Sequence, residues 1–449
     1  MSHFTPFDWE ARKSNSTGLK YTVRLRDYVI CGDSGAEEAT MFTWSYTSAN
    51  DNMARPVMFA YNGGPGSPSN WLHMGLLGPK LVELTGYPES SGGWTERENP
   101  EFLLDACDIV LVDPAGTGWA RLLDENAAGK YYSVAGDAAA FAELITRWLE
   151  DNGRAGSLVY ILGESYGTIR NLALADALPD SVNLRGIVHI GVSFNVGARG
   201  AMYVEPNVRR LGANAAACHW HYHREMDETE FVKSAMDFAY GDYARALLLG
   251  SRLDSSERER VLDRLSYFTG LSREMLDRNG LRFSEPEFML GLVPGAMLSM
   301  YDSRLTHVFA PGEDGSKYDF KYDPFMERAS NVFDTALARY AESELAAPEG
   351  RESLSSSTDI ALRWDYASYQ KDTLTLPAEL MKARPELRML FVSGRYDLSS
   401  TFDFVDWYLS HYDLDPARTD RLALPSGHAS YVGAGMVEAL SHRIREFIR

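Results

Sequence analysis

Four short, continuous runs of apolar residues lie in the first half of this 449-residue chain, at 57–61, 108–113, 157–163 and 185–191. Runs of this length are typical of strands that are buried on both faces of a sheet. Amphipathic helical patterns lie between them, for example at 135–152, where the apolar residues fall on one helical face. Strands that alternate with helices predict a mostly parallel sheet with helices on both faces.

Two further runs precede these strands. The runs at 21–30 and 39–48 are rich in β-branched and aromatic residues, and a turn-like acidic stretch separates them. They therefore predict an antiparallel pair at the start of the sheet. Residues 1–15 are mostly polar, and we expect them to form a loose leader.

A change of pattern divides the chain into three parts. Residues 196–365 contain few strand patterns and several amphipathic helical runs, and after them strands return at 387–394 and 421–426. We therefore expect one α/β core that is formed by residues 1–195 and 366–449. Residues 196–365 would be a mainly helical cap insertion.

The composition argues against several kinds of partner. A net charge of −19 disfavours nucleic acid and anionic membranes, because phosphate binding needs clustered Lys and Arg. The chain has no run of eighteen apolar residues and no apolar signal core at its start, so we expect no membrane span and no secretion signal. Three cysteines cannot all pair, which favours a reducing compartment such as the cytoplasm.

The sequence G-E-S-Y-G at 163–167 matches the G-x-S-x-G pattern of serine nucleophiles. The pattern is weak alone, but here an apolar strand ends at the first glycine and a helix-forming run follows the second, as the motif requires. In such a turn the Ser165 hydroxyl faces solvent and the Tyr166 N–H lies at a helix start, where it can hold an oxyanion. A glycine-rich loop without chemistry is the alternative.

A serine hydroxyl becomes a good nucleophile when a base accepts its proton. Asp397 directly follows a predicted strand and His428 follows the next one, so both lie at strand ends where α/β sheets place their sites. An aspartate after a strand is also a common turn or capping residue. Asp403, Asp406 and His411 are competitors, but they lie in a predicted helix, where we expect structural roles.

The sequence N-G-G-P-G at 62–66 directly follows the strand predicted at 57–61. A glycine-rich turn lets a backbone N–H approach a substrate without an intervening side chain, and it can supply a second oxyanion donor. A phosphate-binding loop is excluded because no G-K-[ST] follows. A plain turn remains the alternative.

The sequence C-H-W-H-Y-H at 218–223 suggests a metal site at first sight. Alternate residues share a face on a strand but not on a helix, and the surrounding sequence has a helical pattern. We therefore expect a cap helix or a pocket wall here and no bound metal.

Together these segments resemble the serine carboxypeptidase family, peptidase family S10, which has the α/β-hydrolase fold. The family's blocks occur in the family order: N-G-G-P-G at 62–66, D-P-A-G-T-G at 113–118, G-E-S-Y at 163–166, Asp397 after a strand, and G-H at 427–428. The resemblance covers most of the predicted core. The predicted insertion matches the family only in position and helical character.

The resemblance implies a role for each matching residue. Ser165 would be the nucleophile, His428 the base, and Asp397 the residue that orients the histidine. The N–H groups of Gly64 and Tyr166 would form the oxyanion hole. This chemistry needs no cofactor.

The resemblance also implies that Asn62, Gly63 and Glu164 bind the C-terminal carboxylate of a peptide substrate. The carboxylate of Glu164 and that of the peptide would repel each other, so they must share a proton. Peptide binding should therefore be tighter at acidic pH. Family members usually carry a second glutamate that pairs with the one in G-E-S-Y. By counting, that position is Leu76 here, which weakens the expectation of a strongly acidic optimum.

We expect a serine carboxypeptidase that releases C-terminal amino acids from peptides through an acyl-enzyme on Ser165. The alternatives are an esterase or acyltransferase with the same three residues, and a non-catalytic binding protein. Family members usually carry a disulfide-bonded cysteine after N-G-G-P-G, but residues 67–69 here contain none. In this respect the sequence resembles an intracellular bacterial branch of the family. The oligomeric state is left open, including a homo-oligomer.

Overall fold

The computed structural model describes residues 4–49, 55–89, 92–194, 206–345 and 352–449. The strands in these residues are β1 (Asp8–Ser14), β2 (Lys20–Cys31), β3 (Glu37–Ser48), β4 (Val57–Tyr61), β5 (Lys80–Leu84), β6 (Trp94–Glu98), β7 (Asp108–Asp113), β8 (Val159–Glu164), β9 (Leu184–Ile190), β10 (Ala296–Leu298), β11 (Thr306–Val308), β12 (Arg388–Gly394) and β13 (Thr419–Leu424).

Nine of these strands form a central sheet in the order β1-β2-β3-β7-β4-β8-β9-β12-β13. The first three strands pair antiparallel, β3 pairs antiparallel with β7, and all neighbours from β7 to β13 are parallel. β4, β7 and β8 consist of buried residues only, as their continuous apolar runs predict for strands that are covered on both faces. The pairs β5–β6 and β10–β11 form separate two-stranded sheets.

The prediction of a loose leader at residues 1–15 is wrong where the structure describes them. β1 pairs with β2 along its whole length, with Asp8 opposite Arg26. Its side chains alternate between exposed and half-buried, so this edge strand has no apolar run. Its order comes from the backbone ladder and from an ion pair of 2.6 Å between Arg24 and Asp8. A hydropathy pattern does not reveal such partners.

Helices separate the strands. The α-helices of the described residues are α1 (Asn70–Leu72), α2 (Ala128–Tyr131), α3 (Val134–Asp151), α4 (Tyr166–Ala177), α5 (Pro206–Arg209), α6 (Leu211–Tyr222), α7 (Glu228–Phe238), α8 (Ala244–Leu249), α9 (Ser255–Thr269), α10 (Arg273–Arg278), α11 (Glu285–Gly291), α12 (Pro324–Ala329), α13 (Val332–Arg339), α14 (Thr358–Arg363), α15 (Leu376–Ala383), α16 (Phe402–His411) and α17 (Met436–Ile448). Shorter 3₁₀ segments are Leu103–Asp105, Glu125–Ala127, Gly250–Arg252 and Phe320–Tyr322, and π-helical segments are His73–Leu77, Ala239–Tyr243 and Tyr340–Glu344. No helix in these ranges is long and apolar enough to cross a lipid bilayer.

The sheet separates two large apolar clusters. Successive residues of a strand point to opposite faces, so Val57, Phe59 and Tyr61 of β4 join the cluster that contains α3 and α4. Met58 and Ala60 join the other cluster, which contains residues of α13 and α17. This mostly parallel sheet between two helical layers is the α/β-hydrolase architecture, and the predicted fold class is confirmed.

Residues 206–345 lie within the predicted cap insertion and are mainly helical, apart from β10 and β11. They contain a third apolar cluster, with Phe231, Phe268 and Phe288 at its centre. Phe402 at the start of α16 also belongs to this cluster, which joins it to the core. Residues 195–205 lie outside the described ranges, so the division of the chain at 195/196 and 365/366 stays a prediction.

Candidate active site

Ser165 forms the sharp turn between β8 and α4. β8 ends at Glu164 and α4 begins at Tyr166, so Ser165 connects the two elements alone. Its backbone has φ 58° and ψ −123°, a conformation that costs a non-glycine residue about 1–3 kcal/mol. The N–H of Ser165 donates to the carbonyl oxygen of Ile190 at the end of β9, over 2.8 Å. The turn that the sequence predicts for a nucleophile is therefore present.

A buried histidine–aspartate pair lies at the same edge of the sheet. Asp397 follows β12 and His428 follows β13, and the Nδ1 of His428 lies 2.7 Å from the Oδ2 of Asp397. The Oδ1 of Asp397 accepts hydrogen bonds from the N–H groups of Ser399 and Ser400, at 2.8 and 3.0 Å. The N–H of His428 donates to the carbonyl of Tyr301 over 2.7 Å. Hydrogen bonds with neighbouring backbone groups therefore fix the positions of both Asp397 and His428.

Gly191 shows how close the imidazole comes to the serine turn. This glycine directly follows Ile190, whose carbonyl binds the N–H of Ser165. A Cβ on Gly191 would lie 2.8 Å from the Cε1 of His428, so the ring rests on this segment of backbone. Ser165, Asp397 and His428 therefore all lie at the same edge of the sheet, after the carboxyl ends of β8, β12 and β13.

The Nε2 of His428 is buried and has no hydrogen-bond partner among the described residues. It is not hydrogen-bonded to the Ser165 hydroxyl here, and hydrogen bonds of catalytic residues commonly tighten only when substrate is bound. Burial alone would lower the pKa of His428, but the charge and hydrogen bond of Asp397 and the charge of Glu164 outweigh it. The pKa is raised above the ordinary histidine value.

The competing residues in α16 have structural partners. The Oδ2 of Asp403 accepts hydrogen bonds from the N–H groups of Gly212 and Ala213 at the start of α6, at 2.8 and 3.3 Å. Asp406 forms an ion pair with Arg421. The Nδ1 of His411 lies 2.8 Å from a backbone oxygen one turn earlier in its own helix. None of these contacts points to catalysis.

The glycine-rich turn packs directly against the serine turn. A Cβ on Gly63 would lie 2.5 Å from both the carbonyl oxygen of Glu164 and the amide nitrogen of Tyr166, so only glycine permits this approach. Gly64 follows with φ 101° and is exposed. Among the hydrogen bonds of the described residues, the N–H groups of Gly64 and Tyr166 have no acceptor. Tyr166 is the first residue of α4, where the helix dipole also favours a negative charge.

A buried arginine that the sequence reasoning did not single out connects these two turns. The Nη1 of Arg170 donates to the carbonyl oxygen of Asn62 over 2.7 Å, and its Nε donates to Asp137 over 2.7 Å. Its side chain is fully buried. An arginine in the first two turns of α4, directly after the serine turn, was the available signal, because a buried charge needs a specific partner.

Glu164 accepts two hydrogen bonds at one oxygen. Its Oε2 accepts from the Nδ2 of Asn62 over 3.1 Å and from the hydroxyl of Tyr431 over 2.8 Å. The Oδ1 of Asn62 accepts from the N–H of Leu72 over 3.0 Å, which fixes the orientation of the amide. Burial is the largest influence on Glu164 and raises its pKa to about 7. The structure thus places Asn62 and Glu164 together, and their binding of a substrate carboxylate stays a prediction.

Leu76, at the position of the family's second glutamate, is buried in an apolar cluster. Among the described side chains, Glu164 has hydrogen bonds from an amide and a phenol and from no second carboxyl group. Sequence reasoning missed Tyr431. Its position three residues after His428 was the only available signal.

The sequence at 218–223 is helical as expected, and it belongs to α6 apart from its last residue. The Nε2 of His219 lies 2.7 Å from the carbonyl oxygen of Met226, and the Nε2 of His221 lies 2.7 Å from that of Ser303. In the part of the chain that the structure describes, no group of three or more His, Cys, Asp or Glu side chains could hold a metal ion.

Comparisons with known proteins match part of the sequence to one family and find solved structures with a similar fold. A model of the family described as serine carboxypeptidase matches residues 25–195. Kex1Δp, a prohormone-processing carboxypeptidase from Saccharomyces cerevisiae, has a similar structure with a TM-score of 0.54 and 14% identity, over 94% of this chain and 92% of that one. The peroxisomal α/β-hydrolase Lpx1 from the same yeast has a TM-score of 0.39 and 12% identity, over 100% and 90% of the two chains. No curated protein matches the sequence.

The family match covers the glycine-rich turn, the D-P-A-G-T-G block and the serine turn, and the structural match extends the fold over nearly the whole chain. Asp397 and His428 lie beyond the family match but occupy the expected ends of β12 and β13. Residues 25–195 are thus similar to the serine carboxypeptidase family, and the chain has an α/β-hydrolase fold similar to that of Kex1Δp.

Proposed function

We propose that the chain releases C-terminal amino acids from peptides through an acyl-enzyme on Ser165. The observation that carries this proposal is the buried His428–Asp397 pair, whose imidazole packs against Gly191, the residue after the Ile190 carbonyl that binds the N–H of Ser165. A hydroxyl on a strained turn and a base held by a carboxylate are the parts that acyl transfer requires.

In this mechanism the Ser165 oxygen attacks the scissile carbonyl while the Nε2 of His428 takes its proton. Asp397 holds the imidazole in the right tautomer and stabilises it when it is charged. The N–H groups of Gly64 and Tyr166 stabilise the oxyanion of the tetrahedral intermediate. His428 then protonates the leaving amino acid, and water repeats the cycle to release the shortened peptide.

The choice of a C-terminal bond depends on Glu164 and Asn62. With a pKa of about 7, Glu164 is protonated in a large fraction of molecules near neutral pH. A protonated carboxyl group can donate a hydrogen bond to the terminal carboxylate of a peptide, whereas an ionised one repels it. Asn62 lies in hydrogen-bonding contact with Glu164 and would bind the same carboxylate through its backbone loop.

The test is a panel of N-blocked dipeptides whose C-terminus is either free or amidated. The proposal predicts that kcat/KM for the free acid exceeds that for the amide by about tenfold or more, which corresponds to about 1.4 kcal/mol. Ser165→Ala should abolish both activities, and Ser343→Ala, on an exposed π-helical segment, should abolish neither. Equal cleavage of both substrates would favour an esterase or acyltransferase and contradict the exopeptidase proposal.

We also propose that the enzyme acts in a reducing compartment, namely the cytoplasm. The support is that Cys31, Cys107 and Cys218 are all free thiols and that Cys31 is exposed. Fractionation of the source cells with antibodies against the protein tests this, and recovery outside the cytoplasmic fraction would contradict it.

A further inference from the structure

Tyr431 has a buried hydroxyl that contacts the carboxyl group of Glu164, the residue directly before Ser165. Its hydroxyl donates to the Oε2 of Glu164 over 2.8 Å, and its side chain is 2% exposed. Asn62 donates to the same oxygen. Both bonds therefore go to Oε2, and no bond to Oε1 occurs among the described residues.

The ring of Tyr431 fits against a glycine. A Cβ on Gly75 would collide with the Cε2 and Cδ2 atoms of the ring, and the ring of Phe333 lies on the same side of this glycine. Gly75 belongs to the π-helical segment His73–Leu77. The ring of Tyr431 therefore packs against this segment, and a larger residue at position 75 would displace it.

The two donors decide where a proton on Glu164 resides. An oxygen that already accepts two hydrogen bonds is a poor site for a proton, so the proton of the neutral acid lies on Oε1. Tyr431 remains a neutral donor throughout, because burial and the charge of Glu164 raise the pKa of the phenol well above its ordinary value. Of Asn62, Tyr431 and Glu164, it is therefore Glu164 that titrates near neutral pH.

We propose that Tyr431 is a positioning residue, which holds Oε2 of Glu164 so that a proton on Oε1 is presented to the terminal carboxylate of the substrate. The proposal rests on the proposed function, because it concerns the same carboxylate site. The groups that face Glu164 are Asn62 and Tyr431 through hydrogen bonds and His428 and Asp397 through their charges. A phenol in this position leaves a single ionisable carboxyl group to control substrate binding.

The experiment compares Tyr431→Phe with the wild type in the pH dependence of KM and kcat for an N-blocked dipeptide acid. The hydroxyl stabilises the ionised form of Glu164, so its removal should raise the pH at which KM begins to increase by about one unit. Loss of orientation should also raise KM about fivefold at acidic pH. We expect kcat to change less than twofold, because the bond-breaking groups are untouched.

Tyr160→Phe is the matched control. Tyr160 lies on β8, the strand that carries Glu164, and its hydroxyl donates to the carbonyl of Ile448 over 3.0 Å, away from the site. This variant should keep the wild-type pH profile. Gly75→Ala is a second route to the same result, because it displaces the ring of Tyr431 and should move KM in the same direction as Tyr431→Phe.

An unchanged pH profile in Tyr431→Phe, or the same change in Tyr160→Phe, would overturn the role of Tyr431. If the phenylalanine variant does not fold, the profile of Gly75→Ala decides in the same way. A wild-type enzyme that cleaves acids and amides equally would contradict the proposed function itself. If the wild type prefers acids but the pH profile of Tyr431→Phe is unchanged, only the role of Tyr431 is contradicted.

Discussion

Two titratable residues of the site, His428 and Glu164, must be in opposite protonation states for activity: the first deprotonated and the second protonated. His428 acts as a base only when it is neutral, and its pKa is raised above the ordinary value because Asp397 and Glu164 outweigh the effect of burial. Glu164 receives a substrate carboxylate only when it is protonated, and burial raises its pKa to about 7. Because each charge affects the other group, the pair titrates with apparent values that belong to both.

The first prediction concerns pH. For a peptide acid, kcat/KM should rise as His428 loses its proton and fall near pH 7 as Glu164 loses its own, so activity should pass through a maximum. An ester or amide substrate without a free carboxylate should show only the rising limb. Steady-state kinetics from about pH 5 to 9 checks this, and a falling limb of equal size for both substrates would contradict it.

Asp397 and Asp403 are expected to have different roles, the first in catalysis and the second in stability. Asp397→Asn should lower kcat by about 10³–10⁴-fold, because the NH2 group of the asparagine would face the Nδ1 of His428 as a donor and stabilise the wrong tautomer. Stability should change little, because the asparagine oxygen can still accept the N–H groups of Ser399 and Ser400.

Asp403→Asn provides the opposite control for that variant. Its carboxyl group holds the start of α6 and does not contact His428. We expect a loss of about 1 kcal/mol in the free energy of unfolding and activity within twofold of the wild type. Urea denaturation and kinetics of both variants test the distinction, and a large loss of kcat in Asp403→Asn would contradict it.

At the scale of elements, the site depends on how the loop at 62–66 lies against α4. Arg170 on α4 donates to the carbonyl of Asn62 and to Asp137 on α3, so one buried guanidinium connects two helices and the loop. Gly63 completes this contact by its close approach to Tyr166. The two candidate oxyanion donors belong to these two elements, so their relative position depends on the packing of the loop.

Gly63→Ala should therefore reduce kcat by about 10²-fold or more, because the added Cβ forces the loop away from α4 and misplaces an oxyanion donor. Gly156→Ala is the control, since a Cβ at that position meets nothing within 4 Å. Circular dichroism should be native for both variants. Near-normal kcat in a folded Gly63→Ala variant would show that this packing does not position the oxyanion donors.

At the scale of the whole molecule, the sequence predicted what short-range patterns can encode. The apolar runs match β4, β7, β8, β9 and β12 closely, and the residues that follow β8, β12 and β13 lie at one edge of the sheet, as the parallel order requires. β1 was missed because an edge strand needs only one neighbour and no apolar run. Tyr431 and Arg170 were missed because their partners in the site, Glu164 and the carbonyl of Asn62, lie more than 100 residues away in sequence.

The proposed mechanism requires that residues from distant parts of the chain make Ser165 reactive. Treatment with a fluorophosphonate probe, followed by peptide mapping with mass spectrometry, measures this most directly. The account predicts a single adduct on Ser165, absent in Ser165→Ala, retained in Ser343→Ala and much slower to form in His428→Ala. No adduct on the folded wild-type protein, or an adduct on another serine, would contradict the account and favour a non-catalytic binding protein.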